Sequence, residues 1–213
     1  KTKKMKKVIL SILSISTLLL ASCSLDNDDE NVGGTIGGEV TAQNLAGNLT
    51  TDLILDASVA HNLTGALLVK DGATLTIEAG TRINALAGGT DVYILVEKGG
   101  KIIADGTEAK PILFTSNASI PKAGDWGGII INGIAPLSRQ ASSNSNAATE
   151  VKNSIFFGGD DVNDNSGILN YVKLEYTGAR IDDEAEHNGL TLNGVGAVTT
   201  MANIAILNGD DDA

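Results

Sequence analysis

Leu67-Leu68-Val69-Lys70-Asp71-Gly72-Ala73-Thr74-Leu75-Thr76-Ile77-Glu78-Ala79-Gly80-Thr81 is echoed by Ile94-Leu95-Val96-Glu97-Lys98-Gly99-Gly100-Lys101-Ile102-Ile103-Ala104-Asp105-Gly106-Thr107. One single-residue gap aligns the two, with an offset of 27 residues at Gly72 and Gly99 and of 26 at Gly80 and Gly106. Each unit reads strand, glycine turn, strand, glycine turn. Short aliphatic strands at a period of about 20 to 30 residues suit a solenoid whose coils stack about 4.8 Å apart. The echo therefore predicts an all-β chain folded as a right-handed parallel β-helix, its core a ladder of Val, Ile and Leu. Further strand-like runs stand at Ile112–Thr115, Gly128–Asn132, Leu169–Tyr176, Leu190–Leu192 and Ala202–Leu207. A β-sandwich of hairpins is the competing arrangement, and Asp71-Gly72 and Asp105-Gly106 are the turns it would use.

Composition agrees with the solenoid. Hydrophobic residues make up 42% of the chain but aromatics only 3%, so the core is aliphatic, as a narrow lumen with little room for rings would require. The 25 glycines against 3 prolines punctuate many short strands rather than long helices. The single cysteine excludes a disulfide framework and a cysteine-rich zinc site.

The N-terminus carries an address. Lys1, Lys3, Lys4, Lys6 and Lys7 precede an apolar segment from Val8 to Ala21. As a helix that segment covers about 21 Å, short of a hydrocarbon core of about 30 Å, so an exported and cleaved signal peptide is expected over residues 1–22. Loss of those five lysines leaves 10 basic against 26 acidic residues, a net charge of −16 in place of −11. Such a surface repels a phosphate backbone, and nucleic acid is not an expected partner.

Leu20-Ala21-Ser22-Cys23 resembles the lipobox of bacterial lipoproteins. The resemblance implies that Cys23 takes a diacylglyceryl group on its thiol and an acyl chain, of the palmitate kind, on its new amine. Membrane contact would then run through the N-terminal lipid, since two or three acyl chains anchor firmly where one is marginal. Residues 23–38 read as an acidic, glycine-rich tether, and Asp26-Asn27-Asp28-Asp29-Glu30 resembles the signal that sends Bacteroidetes-type lipoproteins to the outer face of the outer membrane. A solvated linker is the plainer reading of the same run. Localisation is thus expected to be the outer membrane, lipid-anchored, on the cell surface.

Residues 39–213 form the expected β-helix domain, with an excursion from the solenoid wall at about 135–166, where Ser142-Ser143-Asn144-Ser145-Asn146 and Gly158-Gly159-Asp160-Asp161 are too long and polar for a coil turn. Gly124-Asp125-Trp126-Gly127-Gly128-Ile129, Asp164-Asn165-Ser166-Gly167-Ile168-Leu169-Asn170-Tyr171-Val172 and Asn188-Gly189-Leu190-Thr191-Leu192-Asn193-Gly194-Val195-Gly196 resemble segments of a family of Bacteroidetes-type β-helix lipoproteins of unassigned function. The likeness spans about residue 65 onward and implies fold and location rather than activity. In that family coils continue beyond a segment like Asn208-Gly209-Asp210-Asp211-Asp212, so an open, truncated C-terminal end is expected.

Candidate chemistry is sparse. A polysaccharide lyase is suggested by fold analogy, with acids at Asp160, Asp161 and Asp164 and at Asp182, Asp183, Glu184 and Glu186, beside Arg180 and His187. Both clusters read equally as solvated acidic turns. Calcium is the one candidate cofactor, yet Asp161-Val162-Asn163-Asp164-Asn165-Ser166 lacks the sixth-position Gly of an EF-hand loop and has Val172 at the twelfth. Trp126 reads as a packed wall residue before a sugar platform, and His61 and His187 lack partners at ligand spacing. No catalytic or metal residue is assigned. The expected function is a non-catalytic, lipid-anchored surface protein with a structural, adhesive or ligand-binding role toward an extracellular carbohydrate or protein. A carbohydrate-active β-helix enzyme is the alternative.

Overall fold

The computed structural model describes residues 40–138, 146–183 and 185–210, all within one compact unit, Ile36–Ala213. Cys23, the signal segment and the tether through residue 38 lie outside the described residues. Among the described residues there is no helix. The strands in chain order are β1 (Asn44–Leu49), β2 (Leu53–Leu55), β3 (His61–Val69), β4 (Thr74–Ile77), β5 (Arg82–Ala85), β6 (Ile94–Val96), β7 (Lys101–Asp105), β8 (Ile112–Ser116), β9 (Ile129–Asn132), β10 (Ala147–Thr149), β11 (Lys152–Phe157), β12 (Gly167–Glu175), β13 (Leu190–Asn193) and β14 (Thr200–Leu207).

All but β10 and β11 pair in parallel, and the pairings sort into three stacks. The first runs through the front halves of β1 and β3, then β5, β8 and the back halves of β12 and β14. The second runs through the back halves of β1 and β3, then β6, β9 and β13. The third runs through β2, β4, β7 and the front halves of β12 and β14. The chain visits the stacks in that order and repeats, which is a parallel β-helix with three walls. This is the fold the echo predicts. Val69 pairs with Val96 and Leu75 with Ile102, both at the 27-residue offset.

The lumen is built from alternate residues of each wall. Ile83, Phe114, Leu174 and Ile206 form one inward column, Leu67, Ile94, Ile129 and Leu190 a second, and Leu55, Ile77, Ala104, Leu169 and Met201 a third. Except for Leu190, Met201 and Ile206, these side chains are buried in one continuous core. Each fully buried Leu or Ile contributes about 1.5–3 kcal/mol relative to an exposed one, so the columns carry most of the stability. On the final coil Leu192 and Leu207 are 42% and 44% exposed, for no described coil covers them.

The structure revises two details of the sequence reading. The gap in the echo falls elsewhere: Arg82 pairs with Leu113, so the offset grows to 31 as Thr107 and Lys110 bridge across a turn of their own. Gly80 thus lies against Lys110 and not above Gly106. The lumen also takes rings, since Phe114 and Trp126 are both fully buried in the core with centroids 6.3 Å apart. Neither Asp-Gly pair makes a hairpin: Gly72 sits in the left-handed region (φ +79°) at a coil corner and donates its N–H to the Gly99 carbonyl one coil on.

Candidate ligand groove

The second wall departs from simple alternation. Its strands read Leu67-Leu68-Val69, Ile94-Leu95-Val96 and Ile129-Ile130-Ile131, apolar on both faces. Leu68, Leu95 and Ile130 point outward, yet Leu95 and Ile130 are 0% and 2% exposed. A strap covers them. The segment after β9 leaves the wall and returns as the antiparallel hairpin β10–β11, whose Val151 and Ile155 pack on Leu68, Leu95, Ile130 and Tyr93 as a second, smaller core. A strand buried on both faces needs an apolar residue at every position, which is why alternation fails here.

Hydrogen bonds fix the strap at its roots. The Lys98 ammonium donates to Asn146 Oδ1 (2.6 Å) and to the Gly158 carbonyl (3.2 Å), clipping its two ends together. Asn132 Nδ2 donates to Thr149 Oγ1 at 2.8 Å, and Asn193 Nδ2 donates to Asn132 Oδ1 at 3.0 Å, tying β10 to two successive coils. The hairpin ladder itself is irregular. Ala148 pairs with Phe156 and Thr149 with Lys152, so Asn153, Ser154 and Ile155 have no rung in it.

Between strap and wall lies a groove of about 770 Å³, lined by Asn48, Leu68, Lys70, Glu97, Lys98 and Asn146 on one side and by Lys152, Ser154, Ile155 and Phe156 of β11 on the other. Lys70 Nζ bonds Glu97 Oε1 at 2.5 Å. Three ammonium groups against one carboxylate give this groove a positive balance in a chain of net charge −11. Phe156 is 49% exposed at its rim. Ranges of charge like this attract anions over about 8–10 Å at physiological salt.

Most of the side chains singled out from the sequence serve the scaffold. Trp126 is buried, and its Nε1–H donates to the Glu175 carbonyl at 2.8 Å, so it offers no face to a sugar. His61 heads the first inward column, with Nδ1 against the Ala42 carbonyl and Nε2 against that of Asp56 (2.8 Å). Asp164 is buried. Its Oδ2 accepts from Ser166 Oγ (2.8 Å) and Gly196 N–H (3.2 Å), and its carbonyl accepts from Thr199 Oγ1 (3.2 Å), which seals the strap's return to the wall against the next coil. Asp161 Oδ1 accepts the Asn163 N–H at 2.9 Å. Among the described residues no three His, Cys, Asp or Glu groups are placed to hold a metal.

The two acidic clusters are not brought together. Asp160 and Asp161 lie where the second wall gives way to the third, with Asp161 N–H donating to the Ile134 carbonyl. Arg180, Asp182, Asp183 and Glu186 lie at the opposite corner, between β12 and β13, on a turn closed by the Arg180–Glu186 bridge and by Ala185 N–H donating to Asp182 Oδ1 at 2.9 Å. Glu184 lies outside the described residues.

His187 ends that turn beneath the strap, its ring 4.9 Å from that of Tyr93. The ring is buried, its Nδ1 has no hydrogen-bond partner, and a Cβ on Gly127 would meet Nδ1 at 2.6 Å. Burial pushes the imidazole down to about 4, against the opposing pull of a backbone hydrogen bond with Thr90. Burial likewise pushes the Tyr93 phenol up, helped by Asp91. Perturbed groups beside a pocket are ordinary marks of a catalytic site. Here the ring packs against the wall, where Gly127 leaves the room that a Cβ would take, and with Tyr93 and Lys152 it lines a second pocket of about 440 Å³.

Sequence reasoning missed the groove residues Lys70, Lys98 and Lys152. The available signal was the run of apolar triplets on the second wall, which demands a cover on its outer face.

A three-walled parallel β-helix with a strapped outer face defines the structural class. The chain belongs to the family described as the pectate-lyase like beta helix domain, whose model matches residues 47–213. No curated protein and no solved structure matches the chain.

Proposed function

We propose that this protein is a lipid-anchored surface lipoprotein of the bacterial outer membrane that uses its β-helix as a rigid scaffold and the strap groove to bind an extended anionic ligand, without catalysis. The observation that carries this reading is the cationic groove itself, about 770 Å³ in volume and set between the second wall and the strap packed on it. Pockets of 300–1,000 Å³ with a few convergent polar groups are where ligands bind. The anchoring half rests on Leu20-Ala21-Ser22-Cys23 and the acidic run behind it.

The test has two arms. Cells fed an alkyne fatty acid should label the wild-type chain and not Cys23→Ala, and protease added to intact cells should remove the β-helix domain. Failure of labelling refutes the anchor. A carbohydrate-active enzyme is the second reading, favoured by the family's description as pectate-lyase like. Release of unsaturated uronate from acidic polysaccharides, lost in Arg180→Ala, would establish it in place of the first.

A further inference from the structure

We infer that the groove takes an acidic polypeptide segment in extended conformation, added as a strand beside the irregular stretch of β11; this rests on the groove being the binding site. Three observations lead there. First, Asn153, Ser154 and Ile155 lie between the paired residues Lys152 and Phe156 but have no rung in the hairpin. Of these, Ser154 and Ile155 line the groove, so a stretch of β11 not paired with β10 borders it, which is the template an added strand uses. Second, Lys152, Ser154, Ile155 and Phe156 all line the cavity, so an incoming strand would run beside four residues of one extended segment. Third, Lys70, Lys98 and Lys152 outnumber Glu97, so acidic side chains on the incoming strand meet complementary charge.

The same inventory disfavours a sugar chain. Sugars are held by stacking on open aromatic faces, and Trp126 and Tyr93 are buried, leaving only Phe156 at the rim. A peptide needs no such platform. Its main chain supplies the affinity and its carboxylates the selectivity.

The experiment uses the full chain and a fluorescein-labelled octapeptide of alternating Thr and Glu, followed by fluorescence anisotropy. Four companions are titrated alongside: the Thr-Lys octapeptide, the Thr-Glu octapeptide methylated at alternate backbone nitrogens, an oligogalacturonate of equal charge, and the Lys152→Glu variant against the parent peptide. The expected result is saturable binding of the acidic peptide. Backbone methylation and Lys152→Glu should each weaken it at least tenfold, and the Thr-Lys peptide should not bind. Equal binding of the methylated peptide overturns strand addition. Binding of the oligogalacturonate in preference to the peptide, still weakened by Lys152→Glu, overturns the peptide while keeping the groove. No binding by any acidic probe overturns both. Lys152 is exposed, so its replacement leaves the fold intact, and an unchanged urea midpoint verifies this.

Discussion

Three glycines of the walls and corners should lose stability in a fixed order when changed to alanine, because the structure separates the two costs that a Cβ incurs. At Gly65 the backbone is ordinary and the nearest atom to an added Cβ is Ala46 Cβ at 3.4 Å. Gly65→Ala should therefore be neutral or stabilise by about 0.4–1 kcal/mol, by narrowing the unfolded ensemble. At Gly72 φ is +79° but nothing lies within 4 Å, so Gly72→Ala meets only the left-handed penalty, about 1–2 kcal/mol. At Gly167 φ is +126° and the Cβ would stand 1.9 Å from the Ile102 carbonyl oxygen, so backbone of the neighbouring coil must move. Adding an overpacking cost of about 1–3 kcal/mol gives about 2–5 kcal/mol for Gly167→Ala. Urea titration followed by the fluorescence of Trp126, the sole tryptophan and buried beside Phe114, reports all three on one scale. If Gly167→Ala proves no worse than Gly72→Ala, then β12 does not return to the third wall against β7 as described.

Other perturbations probe other parts of the molecule. Tyr171 holds φ +48° at the corner that Asn203 occupies one coil later with φ +52°. Tyr171→Asn should raise the urea midpoint by the equivalent of up to about 1 kcal/mol, and a clear loss would mean that the Tyr171 ring contributes more than its backbone costs. His187 binds a proton less readily folded than unfolded, so its contribution is full above about pH 6.5 and is lost as pH falls toward 4, on the order of 3 kcal/mol in all. Urea midpoints at pH 7 and 4.5 should converge in His187→Phe, and an unchanged pH slope in that variant would exclude a buried neutral imidazole. Ile155→Asp should release the strap from Leu68, Leu95 and Ile130, giving protease cleavage within 146–158 while the inward columns stay folded. Resistance equal to wild type would show that Lys98 and Asn132 hold the strap without its apolar contact.

The sequence makes one half of the solenoid legible and conceals the other. Gly72 and Gly99 announce the early coils because glycine at a left-handed corner and aliphatics at alternate wall positions are both visible as letters. The later coils repeat as faithfully in space, Val172 on Ile204 and Leu174 on Ile206 at an offset of 32, but share few letters. Their corners are Tyr171 over Asn203 and Tyr176 over Asn208, where backbone conformation is common and side-chain chemistry is not. The groove was hidden for a different reason. Lys70 and Lys152 come together only because the strap folds back, and the strap has few aliphatic residues to mark it. The acidic clusters misled in the opposite sense, since proximity in the chain set Asp164 among carboxylates while the fold turned it inward to Ser166 and Gly196.

The strap also imposes an order of events. Leu68, Leu95 and Ile130 all leave the ribosome before Val151 and Ile155 do. Coils can pile up one at a time as the chain emerges, yet each adds another greasy residue to an outer flank that nothing yet shields. Until the hairpin arrives, that flank is a sticky stripe on a half-built molecule, and escorts that hold unfinished chains apart would meet it there first.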